Sequence, residues 1–194
     1  MDKANVNILK DKKPYGGCLL LAEPFMEDPN FKRTVIILAQ HNDEDGSFGF
    51  VLTRQAPLAL ESVVDGFEGF EAPLFIGGPV AIDTLHYLHT VGDLLPGSVE
   101  VLPGLYWGGN FEILQELVQE GKVKPEQFKF FLGYSGWDAG QLEEEMEDNS
   151  WIVHPAKPRY VFKIESISLW KKVLQEKGGD YAMMVNFPEN PILN

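Results

Sequence analysis

Apolar residues along this chain fall into short dense runs rather than a polar alternation. "GGCLLLAE" and "TVIILAQ" each predict a strand buried on both faces, and "EQFKFFLGY" predicts a further strand. The β-branched residues of "TVIILAQ" suit a central position in a sheet, and "SWIVHP" is a last strand-like piece. Helical spacing enters at Phe111, Leu114, Leu117 and Val118, behind an Asn110 cap and ahead of a stop at Gly121. It returns at Trp170, Val173 and Leu174, with Gly178 past the helix end. "DAGQLEEEMED" predicts another helix, and Asp28 with Pro29 predicts one short helical turn. "PLALESVVDGFEGFEAPLF" predicts a short helix and then a glycine-punctuated loop.

Between these runs stand the turns. Asp45-Gly46 predicts a hairpin with that pair at its centre. "PLFIGGPV" predicts a strand ending in a Gly77-Gly78-Pro79 corner, and "SVEVLPGLYWGGN" a strand, a turn and a second corner at Gly108-Gly109. "TLHYLHT" fits either a helix, where His86 and His89 share a face, or a strand, where they lie on opposite faces. Strands and helices mix without regular alternation, so the class is α+β with a largely antiparallel or mixed sheet. No repeat or long linker divides residues 1–194, which read as a single domain with a loose arm at 1–13 and a tail at 178–194.

Charge narrows the partners. The net charge is −13, from 29 acidic and 16 basic residues, and no basic grouping is interleaved with aromatics. Direct nucleic-acid binding is therefore disfavoured, and anionic membrane surfaces are repelled. No apolar run approaches the roughly 20 residues that span a bilayer. The N-terminus "MDKAN" has no apolar signal region, which implies the cytoplasm. Cys18, the only cysteine, reads as a small buried hydrophobe.

The stretch "FLGYSGWDAGQLEEEM" invites a catalytic reading. A nucleophile elbow needs glycine two residues before and two after its serine. Gly133 stands two before Ser135, but Gly136 is one after and Trp137 two after, so the motif does not match. The structural reading is fuller. Asp138 and Gln141 have capping-box spacing, Gly133 and Gly136 let the strand turn, Trp137 fills space under the corner, and Glu143, Glu144, Glu145 and Glu147 form a solvated face. Asp138 would also repel a phosphate at that helix start. An EF-hand reading of Asp43, Asp45 and Gly46 fails, because His41 and Leu52 stand where acidic ligands belong. His86-x-x-His89 is the best metal candidate, without the glutamate of a zinc helix or a cysteine partner. No catalytic residue, cofactor or metal is assigned.

Several of these runs also stand together in a known order. "LLLAEPFMEDPNFKRTVIILAQHN", "GSFGFVLTR", "FIGGPV" and "FFLGYSGWDAGQLEEEMEDNSW" resemble the AlgH/YqgE family of small bacterial proteins, roughly from Pro14 to His154. "YWGGNFEIL" resembles the branch of Bacteroidetes-type bacteria. The resemblance implies a bifurcated mixed β-sheet folded into a pseudo-barrel with surrounding helices, and a cytoplasmic bacterial protein. It brings no catalytic residues, cofactor or DNA-binding motif, though some members carry the label of transcriptional regulator. Thr53-Arg54-Gln55 departs from the family's Asn-Arg-Pro, while Arg33-Thr34-Val35 keeps its Arg-Thr-Val.

Three functional readings follow. The first is a non-enzymatic adaptor or regulator acting through a protein partner, with corners and aromatics as exposed apolar relief. The second is an enzyme or small-ligand sensor, which needs Arg33, His41, Arg54 or the corners Gly77-Gly78 and Gly108-Gly109 to converge on one concave site. The third, ranked last on charge, is a DNA-binding regulator. Arg33 is also a candidate ion-pair partner of Asp28.

Overall fold

The computed structural model describes residues 13–187. In chain order their strands are β1 (Cys18–Ala22), β2 (Val35–Asn42), β3 (Gly46–Val51), β4 (Gln55–Ala59), β5 (Pro73–Ile76), β6 (Val80–His89), β7 (Val99–Leu102), β8 (Leu105–Trp107), β9 (Phe128–Trp137) and β10 (Trp151–Pro155). The helices are α1 (Phe111–Gln119), α2 (Gln141–Glu147), α3 (Pro158–Phe162), α4 (Ser166–Lys177) and α5 (Gly179–Met184).

Strand β9 organises the sheet. One edge pairs antiparallel with β6. On the other edge residues 130–132 pair parallel with β5, and residues 135–137 pair antiparallel with β3. The sheet therefore forks at Gly133, with β5 and β4 in one prong and β3, β2, β1 and β10 in the other. Beyond β6 lie β8 and β7, and the outer strands β10 and β7 do not pair, so the curled sheet stays open. This is the bifurcated mixed sheet with surrounding helices.

Burial on both faces explains the unbroken apolar runs. In β1, Leu19 and Leu21 pack with α4 residues Leu169, Trp170 and Val173. Cys18, Leu20 and Ala22 point the other way, towards Trp137, Leu142 and Trp151. Phe128 and Phe130 of β9 join Phe67 and Leu114 under α1. Helix α1 starts as the sequence predicts, with the Asn110 Oδ1 accepting from the Ile113 N–H at 3.1 Å. Among the described residues, no helix is long and apolar enough to cross a membrane.

Several local expectations are corrected. Residues 43–45, not Asp45-Gly46, form the β2–β3 loop, and Gly46 opens β3 at a φ of 89°. That is a three-residue loop closed by a left-handed glycine. The short turn at Asp28 is as expected: its Oδ1 accepts from the Asn30 N–H at 2.7 Å and its carbonyl from the Lys32 N–H at 2.8 Å. The helix expected after Pro57 is strand β4, an irregular edge strand in which a proline without an N–H is tolerated, followed by a 3-10 turn at Leu60–Ser62. "TLHYLHT" is part of strand β6. The expected tail from 178 carries α5, whose Tyr181 joins the core below α4, while 1–12 and 188–194 lie outside the described residues.

The 133–141 corner also differs. β9 runs through Gly133 and Gly136 to Trp137, so the chain turns only at 138–140. Half of the capping box is present: the Asp138 N–H donates to the Gln141 Oε1 at 3.0 Å. In the other direction the Gln141 N–H meets the Asp138 backbone carbonyl, not its carboxylate. Glu145 is not merely solvated. Its Oε2 accepts from the indole N–H groups of Trp137 at 2.9 Å and Trp151 at 2.7 Å. Glu145→Ala strands both indoles and is expected to cost about 2–4 kcal/mol in urea unfolding, whereas Glu144→Ala on the outer face stays within about 0.5 kcal/mol.

Candidate functional site: an aromatic groove and a lysine chamber

Pairing of β3, β6, β8 and β9 brings four half-buried rings to one surface. Phe48 lies edge-on to Trp107, with ring centres 4.9 Å apart, and to Tyr134 at 6.1 Å. His86 lies 5.7 Å from Tyr134 and 6.5 Å from Trp107. These rings wall a groove of about 530 Å³ whose polar rim includes Gln40, Asp45, Asp138 and Gln141. His86 and Trp107 also wall an adjoining hollow of about 320 Å³ that reaches Gly108 and Gly109.

The groove is uncharged along its rings. Burial lowers the pKa of His86 below the ordinary histidine value, so the ring is neutral at pH 7. The Thr84 hydroxyl donates to the Ala81 carbonyl at 2.7 Å, so its oxygen accepts from His86 Nε2 at 2.9 Å. His89, on the opposite face of β6, is fully buried. Its Nε2 donates to the Gly108 carbonyl at 2.9 Å and its Nδ1 accepts from the Val91 N–H at 3.3 Å. Both nitrogens are thus engaged in holding the second corner, which removes the His86–His89 metal pair.

The remaining candidates are spread over the fold. The Arg33 Nη2 donates to the Phe187 carbonyl at 2.5 Å, and its guanidinium lies 5.1 Å from the Trp170 ring. Asp28 instead acts on Arg54, which donates to the Pro29 carbonyl. Burial lowers the Arg54 pKa, and the Asp28 charge partly offsets that. His41 shares a hydrogen bond of 2.7 Å between Nδ1 and the Ser47 hydroxyl, while Nε2 faces Asp43 at 3.2 Å and Glu143 at 3.5 Å. His41, Asp43 and Glu143 offer ligand atoms within 4.8 Å of one another, a set with the chemistry to take a divalent cation. The Glu143 Oε1 is buried without a hydrogen bond, and it is the imidazole that meets its charge.

Gly77 and Gly78, expected on a partner or ligand surface, are buried under β9. The Gly77 carbonyl accepts from the Val51 N–H at 2.9 Å and from the Ser135 hydroxyl at 3.1 Å. Ser135 has no exposed surface, so it is a tie between prongs and not a nucleophile.

A second concave region escaped the sequence reading. Lys129 alternates with the phenylalanines of β9, and since that strand is buried on both faces, its side chain is carried inside, 5% exposed. A lysine in an otherwise apolar run flanked by aromatics was the available signal. Its Nζ donates to the Leu52 carbonyl at 3.2 Å, the Val161 carbonyl at 3.4 Å and the Ser166 hydroxyl at 3.2 Å. It sits 3.8 Å from the centre of the Phe75 ring. Among the described residues no carboxylate forms an ion pair with it, and burial lowers its pKa to about 7. Lys129 lines a chamber of about 930 Å³ between β4–β5 and α3–α4.

The family model of AlgH-like proteins, DUF179, matches residues 19–182. This chain belongs to the AlgH-like family. It is 46% identical over 178 residues to the UPF0301 protein CT0663 of Chlorobaculum tepidum, covering 92% of this chain and 95% of that one. It is 43% identical to a UPF0301 protein of Cytophaga hutchinsonii, covering 92% and 98%. Among solved structures it is similar to the AlgH protein of Pseudomonas aeruginosa, with a TM-score of 0.71 at 28% identity over 97% of this chain and 98% of that one. Protein DIP2367 of Corynebacterium diphtheriae gives 0.75 at 25% identity, over 91% and 94%. The AlgH-like match spans the strands of both the groove and the chamber.

Proposed function

We propose that this AlgH-like protein is a non-enzymatic adaptor whose aromatic groove holds a partner's apolar segment flanked by basic side chains. The observation that carries the reading is the ring wall of Phe48, His86, Trp107 and Tyr134 with Asp45 and Asp138 at its rim. Half-buried aromatic rings offer large contact area at small entropic cost, the usual chemistry of binding hot spots. The rim carboxylates favour lysine or arginine beside that anchor. The net charge of −13 steers such a segment in and holds nucleic acid off. The dispersal of Arg33, His41 and Arg54 supports this reading over the enzyme one.

Peptides arrayed over aromatic and basic content test this. Bound sequences are expected to pair an aromatic or leucine residue with lysine or arginine. Trp107→Ala and Tyr134→Ala should each weaken binding by about thirtyfold at a temperature where the variant is still fully folded. Asp138→Asn should flatten the salt dependence. Retention of the same peptides by both ring variants would remove the groove from the mechanism, and duplex DNA bound at low salt would favour the regulator reading instead.

A further inference from the structure

The chamber beside Lys129 is separate from the groove and has its own chemistry. An ammonium buried without a carboxylate is costly, and hydrogen bonds to two carbonyls and a hydroxyl are all that offset it here besides the Phe75 ring. The surrounding oxygens accommodate the neutral amine well. The Leu52 and Val161 carbonyls accept its two N–H groups, and the Ser166 hydroxyl can turn to donate to the nitrogen lone pair. A neutral amine in a cavity is a nucleophile. The walls indicate what it would meet. Phe75, Phe128 and Phe162 offer apolar contact, while Glu71, Glu126 and Glu165 repel anions and accept from hydroxyl groups.

We propose that the Lys129 chamber binds a small neutral hydroxy-aldehyde or hydroxy-ketone and holds it as an imine on the lysine Nζ. The amine nitrogen attacks the carbonyl carbon, and the new C=N bond replaces C=O. The oxygen leaves as water carrying both amine hydrogens, so no oxidant or further reactant is needed. Ser166 is a positioning residue: its hydroxyl aligns the lone pair and relays a proton as the carbinolamine loses water. The low proton affinity of the buried amine keeps a reactive fraction available at neutral pH.

Glycolaldehyde with cyanoborohydride, added to the folded protein near neutral pH, reads this directly by peptide mass mapping. Lys129 is expected to carry the reduced adduct at least about tenfold faster than any exposed lysine, because those amines remain protonated. Its labelling rate should level off above about pH 7, while surface lysines continue to gain. Lys129→Arg should lose the dominant adduct. Ser166→Ala should slow labelling at Lys129 while leaving the surface pattern and the melting curve in place. Adducts spread over exposed lysines with Lys129 unmodified would overturn the proposal. So would a Lys129 rate that Ser166→Ala leaves unchanged, for the role of the serine.

Discussion

Gly133→Val is expected to lower the melting temperature by about 10 °C or more. Gly133 has a φ of 65°, a conformation that a β-branched residue resists. An added Cβ would stand 2.6 Å from the Val80 carbonyl oxygen and 3.0 Å from that of Gly78, both backbone atoms that cannot swing aside. Backbone strain of about 1–3 kcal/mol and overpacking of about 1–3 kcal/mol together give about 3–5 kcal/mol. That is a large share of the roughly 5–15 kcal/mol that holds a domain folded. The position is intolerant because the bulged start of β6, between Val80 and Leu85, presses its backbone onto Gly133, at the level where β5 leaves β9 and β3 joins it on the opposite edge. Ser135→Ala, two residues on, loses one buried hydrogen bond and should cost only about 1 kcal/mol. Thermal melts that place both variants beside the wild type would contradict this close approach of β6 to Gly133.

The second large effect is a pH dependence. Lys129 has a pKa of about 7 in the folded protein against 10.5 as an ordinary lysine. Between those values the unfolded chain holds a proton that the folded chain lacks, so stability rises with pH. Below about pH 7 both states are protonated and the burial cost is borne in full. From pH 7 to 9 the gain from this group amounts to about 2–3 kcal/mol. The window is well isolated. The Cys18 thiol, pushed up to about 11 by burial, and Tyr87, pushed up to about 12, act in the opposite sense only above their ordinary values of 9.0 and 10.0. Lys129→Met removes the titration. It also leaves the Leu52 and Val161 carbonyls without this donor, a cost that does not vary with pH. The difference in urea unfolding free energy, wild type minus Lys129→Met, should therefore climb by about 2–3 kcal/mol across that interval. Parallel curves would show that the ammonium is not buried as the fold places it.

Features that belong to a single segment are legible in the sequence. Asn110 and the spacing of Phe111, Leu114 and Leu117 made α1 legible, because a cap and an apolar stripe are properties of one segment. The run at Cys18–Ala22 and the first half of β2, residues 35–38, were legible as buried strand for the same reason. The errors fell where a segment's state depends on distant neighbours. "PLALE" has no strand pattern of its own and becomes an edge strand only against β5. Residues 178–187 looked like a tail because the core that Tyr181 joins is built from β1, β2 and α4.

The candidate sites divide in the same way. Gly108 and Gly109 were marked as a corner, but the hollow they line beside the groove is walled by His86 of β6 and Trp107 of β8. Glu145 looked like one of several solvated carboxylates until Trp137 and Trp151, on separate strands, both turned their indole N–H groups to it. The sequence by itself determined the class, strands with two buried faces, the net charge of −13 and, through its ordered motifs, the family. Only the tertiary structure decided that Lys129 is an uncompensated buried amine beside a chamber and that Ser135 is a tie between prongs. Periodicity reports which side of a strand a residue faces. The dielectric around it, and its distance to the next charge, are set by strands and helices far away in the chain.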